Sequence, residues 1–194
     1  EKEPQNYARC CTILLPKDYL RYRLTGKLAV ELSDASGTNL LDLQQRAWSR
    51  EICDAIGLDM DLLPPLCDSI SLAGALQDEP AQACGLPAGI PVVGGAADNA
   101  AVAVGTGVTR EGCALTTLGT SGVLLLHSKA VHIDLRGRIH TFCSAVPGEY
   151  LLLSCTLAAG YSLKWLRETF FADLTARAAA KGHSAYALMD QMAA

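Results

Sequence analysis

The spacing of apolar residues divides the chain into a helical first third and a strand-rich second half. Over residues 14–24, Leu20 and Leu24 fall on one face with Tyr19 beside them, while Lys17 and Arg21 lie elsewhere, which predicts a helix with an apolar stripe. Pro16 suits its first turn, where Asp18 follows, and Gly26 is placed to end it. Residues 33–38, Ser-Asp-Ala-Ser-Gly-Thr, are turn formers. Ser49 reads as the cap of a second helix over 50–56, closed by Gly57, and Pro64-Pro65 opens a loop or edge segment. Ile90-Pro91-Val92-Val93 predicts a short buried strand, Gly94-Gly95 a turn, and Asp98 the start of an Ala/Val-rich helix over 99–104 that Gly105 ends. Beyond Cys113, strands over 113–118 and 123–126 flank Gly119-Thr120-Ser121-Gly122, and a second hairpin over 141–146 and 150–155 turns at Pro147-Gly148. Leu157, Tyr161, Trp165, Leu166 and Phe170 then recur at helical spacing, and an Ala-rich, helical tail begins near Thr175. The texture changes near residues 105–112, the expected domain boundary.

Composition narrows this picture without replacing it. Half of the 194 residues are hydrophobic and 19% are charged, enough for a packed core and too apolar for global disorder. Sixteen Lys and Arg against twenty Asp and Glu, with no basic run, argue against binding to nucleic acid or an anionic membrane. The longest uncharged stretches, 80–97 and 112–128, are broken by prolines or glycines and do not make a continuous apolar span of about 20 residues. The N-terminus, Glu-Lys-Glu-Pro, has no signal-peptide pattern. Eight cysteines without a Cys-x-x-Cys pair predict buried free thiols in a reducing cytoplasm, and His127, His132, His140 and His183 lack zinc-ligand spacing to any cysteine pair.

Two sites carry candidate chemistry. In Gly94-Gly95-Ala96-Ala97-Asp98-Asn99 a carboxylate sits where a strand gives way to a helix, at the sheet edge where α/β proteins bind ligands. Asp98 there can take a proton from a substrate hydroxyl and Asn99 can hydrogen-bond neighbouring hydroxyls. Asp98 can equally cap its helix, and the two roles are compatible. In Leu118-Gly119-Thr120-Ser121-Gly122 small residues let backbone N–H groups and the hydroxyls of Thr120 and Ser121 approach an anion, although the same residues make an ordinary hairpin turn. No Gly-Lys-Ser/Thr follows, so this is not a Walker loop. No Gly-x-Ser-x-Gly or His-Glu-x-x-His pattern supports a hydrolase.

The run Leu-Leu-Pro-Lys-Asp-Tyr-Leu-Arg-Tyr-Arg-Leu-Thr-Gly at 14–26, together with 33–38, 94–100 and 118–122, resembles the FGGY family of carbohydrate kinases, most of all its xylulose-phosphorylating members. The resemblance implies an α/β, ribonuclease H-like, actin-like ATPase fold in two domains, with residues 1–106 the end of the sugar-binding domain and 107–194 the start of the ATP-binding one. It implies ATP-dependent phosphorylation of a ketopentose such as D-xylulose, with ATP and Mg²⁺ as cofactors and a small sugar as partner. Asp98 matches the family's general base, Asn99 its sugar-contacting neighbour, and Gly119 and Thr120, with Ser121 beside them, its phosphate hairpin. Residues 33–38 match without an implied contact and are expected to be a structural turn. Family chains are longer, with an Asp-x-Gly-Thr turn ahead of this region and an adenine-binding loop after it, so the sequence reads as a segment that is inactive alone. A kinase for ribulose, gluconate or glycerol, or a non-catalytic sugar-binding module, remains open, and the Trp165 helix suits a homodimer interface as readily as a core.

Overall fold

The computed structural model describes residues 2–180 and 182–194. Its elements follow in the order α1 (Pro4–Ala8), α2 (Pro16–Thr25), β1 (Val30–Glu31), α3 (Leu32–Ala35), a 3-10 turn (Ser36–Thr38), β2 (Leu41–Asp42), β3 (Ala47–Trp48) and α4 (Arg50–Ile56). A second 3-10 turn (Met60–Leu62) leads to β4 (Leu66–Cys67), β5 (Leu72–Ala75), α5 (Asp78–Cys84), β6 (Pro91–Val93) and α6 (Asp98–Gly105). Then come β7 (Ala114–Leu118), β8 (Gly122–Ser128), β9 (His140–Cys143), β10 (Tyr150–Thr156), α7 (Gly160–Phe170), α8 (Ala172–Ala180) and α9 (Ala185–Ala193). The mixed α/β class is as expected. Among the described residues no helix is long and apolar enough to cross a membrane.

Local chemistry accounts for the element ends. Pro16 opens α2 and Gly26, at φ +69°, closes it, because a residue without Cβ adopts the left-handed region freely. Ser49 Oγ accepts the Ile52 N–H at the head of α4, and Gly57 ends it in the same left-handed conformation. The short helices α1 and α5 were not anticipated, because neither carries the apolar periodicity that would have revealed it.

Two compact units emerge, residues 1–115 with 125–153, and residues 116–124 with 154–194. Four strands make a sheet ordered β7-β8-β10-β9. β10 and β9 form the expected hairpin, antiparallel with Tyr150 opposite Cys143. The first unit holds two cores. One gathers Val30, Leu32, Ala35, Leu41, Cys143 and Tyr150; the other packs Ala100, Ala103 and Val108 against Leu125, Ala145 and Leu151. In the second unit Leu174 and Ala178 are buried, while Leu157, Tyr161, Trp165 and Phe170 are exposed.

Two expectations need correction. The buried face of α2 is its polar one: Asp18, Arg21 and Thr25 are buried, whereas Tyr19 and Leu20 are exposed. The cause is a network of charges, described below, that only this face can reach. The strand at 91–93 is not buried either. β6 pairs antiparallel with β5 in a two-stranded ribbon, and the cross-strand partners Leu72 and Val93 are both exposed.

Candidate functional site

α6 begins at Asp98, with extended Ala97 as the residue before its first turn. Ala100 and Ala103 are small enough to let this helix lie close on Leu125 and Leu151 of β8 and β10. Asp98 and Asn99 are consequently turned outward and exposed. Asp98 Oδ1 accepts the Asn99 N–H at 2.7 Å, a local bond that engages one of its two oxygens. Both side chains line a cavity of about 190 Å³ whose rim also carries Ser33 and Asp34 and whose wall includes Leu125, Phe142 and Leu151. The segment at 33–38, expected to be only a turn, therefore shares a cavity with the candidate base.

Asp34 of this cavity also belongs to a dense ionic cluster. Lys17 Nζ stands 3.1 Å from Asp18 Oδ1, 3.3 Å from Asp34 Oδ2, 3.6 Å from Glu31 Oε2 and 3.3 Å from the Gly94 carbonyl. Arg21 pairs with Asp18 at 2.9 Å and donates to the Gly94 carbonyl at 2.7 Å and to the Ala29 carbonyl at 2.5 Å. Glu31 is wholly buried and accepts four hydrogen bonds, from Ser33 N–H (2.8 Å), Ser33 Oγ (2.6 Å), Asp34 N–H (3.2 Å) and Ser69 Oγ (2.6 Å). Bonding at both of its oxygens is what allows the Glu31 charge to be kept from water, whereas Asp18 Oδ2 and Arg21 Nε are buried without a hydrogen-bond partner. Burial pushes the Asp34 carboxyl above its ordinary range, with the neighbouring Lys17 ammonium pulling it back.

The cluster was not foreseen. The available signals were the Asp18–Arg21 spacing of one helical turn and a lone carboxylate, Glu31, flanked by Val30 and Leu32. Its chemistry also bears on Mg²⁺. Asp18, Glu31 and Asp34 converge, but on the Lys17 ammonium, which fills the place a cation would take. Among the described residues no group of three or more His, Cys, Asp or Glu side chains could hold a metal ion. These residues do not fit a Mg²⁺ site.

The hairpin at 119–122 belongs to the second unit, and its tip is exposed. The Gly119 carbonyl accepts the Gly160 N–H at 2.9 Å, and the Thr120 carbonyl accepts from Ala159 at 2.9 Å and Tyr161 at 3.3 Å. The start of α7 thus engages the tip's carbonyls. The approach is so close that a Cβ on Gly160 would stand 2.6 Å from the Gly119 oxygen. The cysteines are all free, but only Cys53 and Cys143 are buried; Cys11, Cys84 and Cys155 are exposed. Burial pushes the Cys143 thiol up to about 11, away from the reactive thiolate.

Residues 1–105 match the FGGY family of carbohydrate kinases, N-terminal domain. Xylulose kinase from Bacillus subtilis (strain 168) is 41% identical over 170 residues, covering 88% of this chain and 34% of its own length. Autoinducer-2 kinase from Klebsiella pneumoniae subsp. pneumoniae is 34% identical over 190 residues, 98% of this chain and 36% of the relative. The crystal structure of xylulose kinase from Rhodospirillum rubrum superposes with a TM-score of 0.81 at 30% identity, over 91% of this chain and 38% of that one. The chain thus spans about a third of the length of the relatives it matches.

Proposed function

Because the chain belongs to the FGGY family of carbohydrate kinases, we propose that the complete protein carrying it transfers a phosphoryl group from ATP to a ketopentose, D-xylulose first among them. In this reading residues 1–106 close the sugar-binding domain and 107–194 open the ATP-binding one. One observation carries the assignment of the base. Asp98 is a carboxylate on the cavity rim that enters no ion pair among the described residues, whereas its neighbour Asp34 is paired to Lys17.

The chemistry follows from the atoms available. With Oδ1 engaged by the Asn99 N–H, Oδ2 of Asp98 accepts the proton of the acceptor hydroxyl as the oxygen attacks phosphorus. The Asn99 amide, able both to donate and to accept, holds adjacent hydroxyls. The apolar wall of Leu125 and Leu151 keeps water from competing for the phosphoryl group. ATP supplies that group, and catalysis is mostly positioning and charge stabilisation. Gly119, Thr120 and Ser121 are assigned to the phosphates. Support comes from the Gly119 and Thr120 carbonyls, which would repel an anion but accept N–H groups at the start of α7.

The test is ATP-dependent ADP release by the complete protein with D-xylulose, in wild type and Asp98→Asn. The expected result is a fall of roughly 10²–10⁴-fold in turnover, with sugar affinity kept within a few-fold. Unchanged turnover would remove Asp98 as the base. The similarity to autoinducer-2 kinase over nearly the whole chain favours a second reading, a kinase for another polyol or sugar acid. Ribulose, gluconate and glycerol in the same assay separate the two, and no turnover on any sugar by folded protein points to a non-catalytic sugar-binding module.

A further inference from the structure

The backbone directly before the exposed Asp98 is held from elsewhere in the chain. The Ala97 N–H, directly before Asp98, donates to Ser33 Oγ at 2.8 Å across 64 residues of sequence. The Ser33 hydroxyl has one hydrogen, and it is directed to Glu31 Oε2 at 2.6 Å. Giving that hydrogen to Glu31 leaves the Ser33 lone pairs for Ala97, so the carboxylate sets the polarity of the whole chain of bonds. Glu31 is itself fully buried and bonded at both oxygens, Oε2 accepting from Ser33 Oγ and the Asp34 N–H, and Oε1 from the Ser33 N–H and Ser69 Oγ. Ser33 is buried as well. Ala97 is the joint at which extended backbone gives way to helix, so the position of its N–H governs where Asp98 begins.

We propose that Ser33, oriented by Glu31, is a positioning residue that sets the bearing of the Asp98 carboxylate through the Ala97 N–H. The proposal rests on the reading of Asp98 as the base. Ser33 does not act on the sugar hydroxyl; it removes a degree of freedom from the group that does. Proton transfer requires hydrogen-bond reach of about 2.6–3.2 Å, and a displacement of about 1 Å can cost 10²-fold. Loss of one of the restraints on this turn, with the Gly94 carbonyl still held by Arg21 and Lys17, is therefore expected to lower turnover about tenfold rather than abolish it.

A double-mutant cycle in the complete protein tests this, measuring kcat and sugar KM for wild type, Ser33→Ala, Asp98→Asn and the double variant. Ser33→Ala should lower kcat about tenfold, leave sugar KM within threefold, and have no further effect on the residual turnover of Asp98→Asn. A tenfold loss that persists in the Asp98→Asn background, or a sugar KM that rises with it, assigns Ser33 a merely structural role and overturns the inference. So does an unchanged kcat in Ser33→Ala when Asp98→Asn is impaired, which leaves the base assignment standing. Full turnover in Asp98→Asn instead brings down the base assignment, and the inference with it. If Ser33→Ala does not fold, Ser33→Cys keeps the side chain's size while weakening both bonds, and the same cycle decides.

Discussion

The two glycine-bearing turns for which chemistry is proposed are held in opposite ways. The turn at 94–98 is fixed by side chains from distant elements: Arg21 and Lys17 on the Gly94 carbonyl, Ser33 on the Ala97 N–H. The hairpin tip at 119–121 is held by backbone bonds, the Gly119 and Thr120 carbonyls meeting the first N–H groups of α7 and the Ser121 carbonyl the Gly119 N–H. A base must point in one direction, which demands side-chain anchors of fixed geometry. A phosphate cradle needs only its backbone to be close and correctly turned, which small residues and a helix end provide. The contrast predicts that the first turn is sensitive to buried charges and the second to steric bulk.

The largest effect should come from the charges. Arg21→Met leaves Asp18, buried completely, with Lys17 as its remaining ionic partner and takes a donor from Gly94. Breaking a buried pair in this way costs about 3–5 kcal/mol, which urea unfolding reads as a lower midpoint at unchanged slope. Thr120→Ala at the exposed tip should stay within about 0.5 kcal/mol of wild type. Equal losses in the two variants would break the comparison.

These anchors also mark where the sequence stops being legible. The ends of α2 and α4 could be read from Pro16, Gly26, Ser49 and Gly57, because capping is settled by residues next to each other. The β9–β10 hairpin and the start of α6 were equally local. The inward face of α2 was not, since Leu20 and Leu24 suggested an apolar interface, whereas the face is chosen by Arg21 reaching a carbonyl 73 residues away. In the same way Asp98 and Asn99 were identifiable as candidates from their place at a strand–helix junction and from family resemblance. Ser33 and Asp34 gained a place beside the cavity only from the fold, because the Glu31 bonds that hold them there join β1, α3 and Ser69.

A middle-sized effect separates the turns by steric bulk. A Cβ on Gly94 would stand 2.5 Å from the Asp68 carbonyl oxygen, and one on Gly160 would stand 2.6 Å from that of Gly119. Neither obstacle is a flexible side chain, so each Ala substitution forces backbone to move, at about 1–3 kcal/mol. Although the strain is alike, the consequences should differ. Gly94→Ala shifts the approach to Asp98 and should lower kcat, while Gly160→Ala shifts the hairpin and should raise the KM for ATP several-fold with sugar KM unchanged. Steady-state kinetics of the complete protein distinguish them, and identical kinetic signatures would show that the two turns do not serve separate substrates.

The smallest effect tests whether burial, rather than the Asp–Arg pairing itself, gives the Asp18–Arg21 anchor its strength. Asp134 and Arg138 form the same kind of pair on the surface, with a bond of 3.0 Å from Arg138 Nε and further bonds from the Arg136 and Arg138 N–H groups. The Arg138 side-chain bond, followed by its backbone N–H, holds the Asp134 carboxyl down at about 2 against an ordinary 3.8. A depressed carboxylate contributes stability that is present above its unfolded value and lost as pH falls through the folded one. The contribution of Asp134 is therefore complete above about pH 4 and fades toward pH 2. Carboxyl NMR should give a midpoint below the ordinary 3.8 that moves up in Arg138→Ala. Stability at neutral pH should scarcely change, because exposed pairs contribute little. A large neutral-pH loss in Arg138→Ala, comparable to that of Arg21→Met, would mean that pairing alone confers the strength and that burial beneath the Asp98 turn adds nothing to it.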